Sequence, residues 1–151
     1  MRRRTRFAQG LLAICVIAFA GCQKKAEEPA KPAAAPPPPP PFHVTELLLG
    51  KALTADHKIA LPATTFGVKD TIYAVVGSVG VSKGVLLRAR WTYVDAKDTL
   101  LVSADSQTVA PTGPAWSEFH VSKSTHWPKG HYAVTVMADT VFAGSQPFEV
   151  K

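Results

Sequence analysis

From Phe42 to the C-terminus the chain runs in short apolar stretches cut by Gly, Pro, Asp and Lys. The clearest is VLLRARWTYV (Val85–Val94), where Leu87, Ala89, Trp91 and Tyr93 share one face and Arg88, Arg90 and Thr92 the other. A period of two residues predicts a half-buried strand. FHVTELLLG (Phe42–Gly50) predicts a first strand, and DTIYAVVGSVG (Asp70–Gly80) is β-branched and aromatic before a Gly/Ser loop. TLLVSADS (Thr99–Ser106) follows the turn DAKD. In WSEFHVS (Trp116–Ser122), Phe119 and Val121 oppose Trp116, Glu118 and His120. GHYAVTVMA (Gly130–Ala138) alternates Tyr132, Val134 and Val136, and TVFAG and PFEV close the chain as one broken strand. No stretch here has the period of an amphipathic helix. Seven or eight strands at roughly 8–12-residue spacing predict an all-β, antiparallel two-sheet sandwich. Residues 42–151 are long enough for one core of ordinary size.

The N-terminal part has a different texture. MRRRTR is basic, and FAQGLLAICVIAFA (Phe7–Ala20) is apolar apart from Gln9 and Gly10. A spanning helix needs about 20 apolar residues, so this length fits the hydrophobic region of a signal peptide. The run ends in Ala20 and Gly21 directly before Cys22. Phe-Ala-Gly-Cys resembles the lipobox of bacterial lipoproteins, although Phe19 stands where that family usually has Leu. In that family a small residue precedes the cysteine because the signal peptidase cuts there. The thiol receives a diacylglycerol, and the new N-terminus is then acylated.

The resemblance implies a cleaved peptide over residues 1–21, lipid (palmitate class) on Cys22, and attachment to a membrane. Gln23 follows the cysteine instead of Asp, which in Gram-negative lipoproteins resembles the default signal for the outer membrane, facing the periplasm. Two or three acyl chains hold stably where one does not, since each buried methylene contributes about 0.8 kcal/mol. Cys15 lies in the part removed, so the domain must be held by its core without a disulfide.

PAKPAAAPPPPPP (Pro29–Pro41) carries eight of the thirteen prolines. Proline fixes φ and donates no hydrogen bond, so residues 22–41 read as a lipidated cysteine followed by a polyproline II spacer reaching about 40 Å. A ligand for a proline-recognising module is the alternative. The formal net charge of +6 changes meaning once located. Residues 1–41 hold seven basic and two acidic side chains; residues 42–151 hold ten and nine. A nearly neutral domain does not neutralise phosphates, so nucleic acid is excluded as a partner.

One constellation narrows the sandwich. GHYAV (Gly130–Val134) resembles the tyrosine-corner strand of immunoglobulin-like domains, with Val134 where antibody domains have their second cysteine. Trp91 takes the place of the core tryptophan, and the first cysteine's place falls in the Ile72–Val76 strand. The domain thus resembles the cysteine-free immunoglobulin or fibronectin type III class. That implies Tyr132 buried, with its hydroxyl bonded to backbone around Trp127–Gly130.

Candidate chemistry is sparse. No Gly-x-Ser-x-Gly elbow, phosphate-cradling loop or His-Glu-x-x-His motif occurs, and GSVG (Gly77–Gly80) reads as a hairpin loop. Asp95, Asp98 and Asp105 lack the alternating spacing of a calcium loop. No catalytic residues, cofactor or enzyme activity are therefore expected. Among His43, His57, His120, His126 and His131, the candidate metal ligands are His120, His126 and His131. The end of the chain loosely resembles the last strands of periplasmic copper-binding sandwiches, but Thr140 and Val141 follow Asp139 where that family has Gly-His. Copper or zinc binding is the alternative function. Trp116, His120 and Trp127 form the candidate binding patch, since exposed aromatics beside histidines stack on sugar rings or anchor proteins. The expected function is a lipid-anchored, non-catalytic binding or assembly module for an envelope protein or glycan.

Overall fold

The computed structural model describes residues 37–151. The basic N-terminus, the apolar run, Cys22 and the proline run up to Pro36 lie outside the described residues. Eight strands follow in order: β1 (His43–Gly50), β2 (Thr65–Phe66), β3 (Ile72–Val79), β4 (Val85–Val94), β5 (Thr99–Val109), β6 (Ala115–Val121), β7 (Gly130–Ala138) and β8 (Val141–Val150). They form a three-stranded sheet, β1-β3-β6, and a five-stranded sheet, β2-β8-β7-β4-β5. Every pairing is antiparallel except β2 with β8. First, third and sixth strands on one side, with β8-β7-β4 on the other, make the all-β two-sheet sandwich expected from the alternation.

The alternation sets the faces. On β4, Val85, Leu87, Ala89 and Trp91 are buried while Arg88 and Arg90 are exposed. They meet Ile72, Ala74 and Val76 of β3, Phe119 and Val121 of β6, and Tyr132, Val134 and Val136 of β7 in one cluster. Fully burying such a side chain contributes about 1.5–3 kcal/mol.

Three boundaries differ from the sequence reading. β5 continues to Val109, which pairs with Val85. As an edge strand it needs no apolar face, so Gln107 and Thr108 carry no strand signal. β2 is a two-residue strand that alternation does not mark, yet its Phe66 is buried in the core. β8 runs unbroken through Pro147. β2 reaches only Glu149 and Val150, so beside Pro147 there is no ladder bond on that side to lose.

The end of the sandwich where β7 starts is built from aromatic rings. The Tyr132 hydroxyl donates to the Pro128 carbonyl at 2.7 Å, which is the expected corner. Its ring stacks on Phe148 at 5.3 Å and meets Trp127 and Tyr93 edge-on at 5.4 and 5.0 Å. Phe148 continues the cluster to Phe66 and Trp91. Each such pair adds about 0.5–1.5 kcal/mol beyond its buried area. Gly130, at φ 145°, is required here. A Cβ at Gly130 would lie 2.8 Å from the Tyr93 ring, and only glycine adopts that backbone without strain.

Tyr132→Phe is expected to cost about 1 kcal/mol by loss of this bond, and Val134→Ala about 2 kcal/mol through a cavity. His131→Ala, on the exposed face, should stay within about 0.5 kcal/mol. Chemical denaturation measures all three; a costly His131→Ala with a neutral Val134→Ala would contradict the strand's phase. Burial, with Tyr93 adding, raises the Tyr132 phenol above its ordinary value of 10.0. The folded domain therefore keeps a proton that the unfolded chain releases from about pH 10 upward. The stability from this group is complete below that pH and is lost as pH rises. As pH rises above about 10, Tyr132→Phe should lose less stability than the wild type.

Candidate functional site

The proposed patch lies on the outer face of the three-stranded sheet. On β6, Trp116, Glu118 and His120 point away from the core, because Ser117, Phe119 and Val121 point into it. They sit opposite Gly77, Val75 and Tyr73 of β3, which in turn face Glu46, Leu48 and Gly50 of β1. Trp116 is 36% exposed, and its ring rests on Gly77, where a Cβ would come within 2.7 Å of it. Lys58 Nζ lies 4.9 Å from the same ring. The His120 and Tyr73 rings are 5.7 Å apart and tilted at 39°.

This face is not bare. The connection between β1 and β2 folds back over it as a small hairpin, bridged at Leu53–Ile59 and Gly50–Pro62. Thr54 and Lys58 close the turn, with Thr54 N–H donating to the Lys58 carbonyl at 2.8 Å and Lys58 N–H to Thr54 Oγ1 at 3.2 Å. His57, in the left-handed region at φ 56°, shares a 2.7 Å bond with Glu118. Ile59 is buried against Gly50. The result is that Val75, on the outer face, is 0% exposed. The signal was in the sequence: Ile72–Val76 is apolar at every position, the mark of a strand covered on both faces.

Trp127 does not belong to the patch. It is 2% exposed, and the reason is its hydrogen bonding. Its backbone N–H donates to Val68 at 2.8 Å and its indole N–H to the Asp70 carbonyl at 3.0 Å. A corner tryptophan with both donors taken by the Gly67–Asp70 turn is a structural strut. Asp70 itself accepts from Lys51 at 2.7 Å and from Gly67 N–H at 2.8 Å. Those bonds hold its carboxyl below the ordinary value of 3.8, against a smaller opposing effect of burial. Its contribution to stability is present at neutral pH and fades as pH falls through the acid range.

The histidines do not converge either. His120 lies on the outer face of one sheet and His131 on the outer face of the other, while His126 is in the exposed β6–β7 connection. Among the described residues no group of three His, Cys, Asp or Glu is placed to hold a metal ion. His43 sits at the start of β1, bonded to the Pro41 carbonyl.

Two further surfaces carry features that the sequence reading did not single out. A cleft of about 350 Å³ opens between Phe42, Val44 and Val85 and the β7–β8 turn, where Val141 and Phe142 are 67% and 63% exposed. Asp139, at φ 54°, shapes that turn by bonding Leu86 through backbone and side chain and Arg88 through its carbonyl. On the outer face of the five-stranded sheet, Arg88 and Arg90 rise from β4 beside exposed Ala104 and Ser106 of the edge strand β5.

No protein-family model and no curated protein matches the chain in sequence. Solved structures match in shape. A β-glucosidase from Erythrobacter marinus aligns with a TM-score of 0.51 at 7% identity, over 73% of this chain and 15% of that one. A β-glucosidase of saponin metabolism from intestinal bacteria aligns at 0.48 and 14%, over 73% and 16%. An alkylpurine DNA glycosylase from Pseudomonas fluorescens aligns at 0.47 and 12%, over 73% and 30%. The chain thus spans less than a third of each, and the likeness to the first is one of fold alone.

Ile59→Ala tests the cover. Removing the anchoring side chain is expected to raise the rate of proteolysis within residues 54–58 several-fold, with a much smaller change in global stability. An unchanged cleavage rate would mean that the bridges alone hold the hairpin down.

Proposed function

We propose that this chain is a lipid-anchored protein of the bacterial envelope whose sandwich is a non-catalytic binding or assembly module. The anchor is Cys22, on the reading of Phe19–Cys22 as a lipobox, and Gln23 directs it to the outer membrane, facing the periplasm. The observation that supports the reading is the way the chain enters the domain. Pro41 pairs with Val81, and the Pro40 carbonyl accepts the Val81 N–H at 3.0 Å. The last residues of the proline run are therefore bound to the sandwich, so a tether attached upstream acts on the fold directly. They join at the end where β1 begins, while β8 finishes at the other end. The outer face of the five-stranded sheet, with Arg88 and Arg90 exposed on it, is the surface the domain offers to a partner.

Metabolic labelling with palmitate tests the anchor. The wild-type chain is expected to take up label, and Cys22→Ser to lose it and accumulate as precursor, since serine offers no thiolate for the lipid. Label retained by Cys22→Ser would contradict the reading.

A further inference from the structure

An unpaired sheet edge invites another strand, and proteins blunt such edges with short strands, charges, proline or bulges. Three of the edges here are blunted. The five-stranded sheet ends on one side in β2, two residues long. In the other sheet, β1 is interrupted by a bulge between Val44 and Glu46. The β6 edge is bridged by Gln107, whose Nε2–H donates to the Glu118 carbonyl at 3.0 Å. The fourth edge is β5. It is eleven residues long and contains no Gly, Pro, Lys or Arg; it has a bulge at Val102 and one charge, Asp105, but beyond the bulge it pairs regularly with β4 from Ser103 to Val109.

The side chains along that regular stretch define what would fit. Ala104, Ser106 and Thr108 share the outer face with Arg90, Arg88 and Leu86, their partners on β4. Ala104 and Ser106 are small and exposed. Strands lie about 4.8 Å apart, so a strand added to β5 would lie about 10 Å from β4. A stretched Arg90 covers most of that distance across Ala104, and a glutamate covers the rest. Arg88 is drawn toward the β7–β8 turn, on the far side of β4 from β5, by its bond to the Asp139 carbonyl at 2.6 Å. Arg90 is therefore the cation offered to an added strand, and among the described residues it is in no salt bridge. On the inner side the added strand would meet Ser103 and Asp105, the Gln107 amide being taken by Glu118. A second copy of β5 does not satisfy this pattern, because its sole charge, Asp105, points inward.

We propose that the β5 edge, with Arg90, binds an extended peptide segment of a partner protein, with Asp or Glu placed beside Ala104. The segment joins the sheet through backbone hydrogen bonds along Ser103–Val109, and that carboxylate reaches Arg90. This rests on the reading of the domain as a binding module and names its partner class.

The test uses the full-length acylated chain in detergent micelles, with fluorescence anisotropy of labelled peptides of roughly eight residues, about the length needed to cover Ser103–Val109. The first alternates Thr and Glu. The second alternates Thr and Lys. The third keeps the glutamates but replaces each Thr by Pro, which removes ladder donors. Saturable binding of the first alone is expected, weakening as salt screens the charges. Arg90→Glu should weaken it by about tenfold or more, since an attractive pair becomes a repulsive one, with an unchanged far-UV spectrum. No binding of the first peptide up to millimolar concentration would overturn the proposal, as would unchanged affinity in Arg90→Glu. Equal binding of the proline peptide, or of dextran sulfate, would reduce the site to a charge patch and overturn it too. Palmitate uptake is read separately, so a labelled chain that binds no peptide refutes this inference and leaves the anchor standing.

Discussion

A tyrosine hydroxyl buried among aromatic rings must find an acceptor, and in this sandwich it finds Pro128. That bond fixes how the chain turns from β6 into β7, and the consequences spread from there. With Pro128 held, Trp127 enters the core and spends both its donors on the turn at Val68–Asp70. That turn leads into β3, the central strand of the smaller sheet. One corner therefore ties together the two sheets, the start of β3 and the aromatic stack through Phe148. Without a disulfide among the described residues, this polar and aromatic clasp does the joining that a cystine does in antibody domains. Gly130 follows from the same packing, because the Tyr93 ring occupies the space of a Cβ.

The two sheets treat their outer faces differently. The three-stranded sheet is capped by its own hairpin, with Ile59 against Gly50 and His57 on Glu118. Lys58 stands over Trp116, and Val75 beneath the hairpin is sealed from water. Among the described residues, none covers Arg88, Arg90 and β5 of the five-stranded sheet in this way. An exposed polar contact such as the His57–Glu118 hydrogen bond contributes little. The hairpin owes its place mainly to buried Ile59 and its backbone bridges.

Much of the fold was legible because period-two alternation reports which residues face a core. Trp91, Tyr132, Val134, Val136 and Phe119 are all buried where that alternation puts them. The corner was legible from Gly-x-Tyr-x-Val alone. What alternation does not carry is what lies above a strand. Trp116 is placed on the outer face correctly, but the hairpin over it comes from residues 51–62, whose scattered apolar positions carry no strand period. Trp127 sits in an irregular segment where period says nothing, and its burial is decided by partners 57 residues away. The β5 edge was half legible: its polar residues near Val109 look like loop, because an edge strand need not bury a face.

The measurement that tests the clasp most directly is hydrogen exchange of the Trp127 indole N–H, followed by NMR beside the backbone amides of β7. If the corner closes the sandwich, that proton exchanges only when the whole domain unfolds, with the same free energy as the β7 amides. Exchange through a local opening, at a free energy well below theirs, would show that the corner rides on the fold and does not hold it.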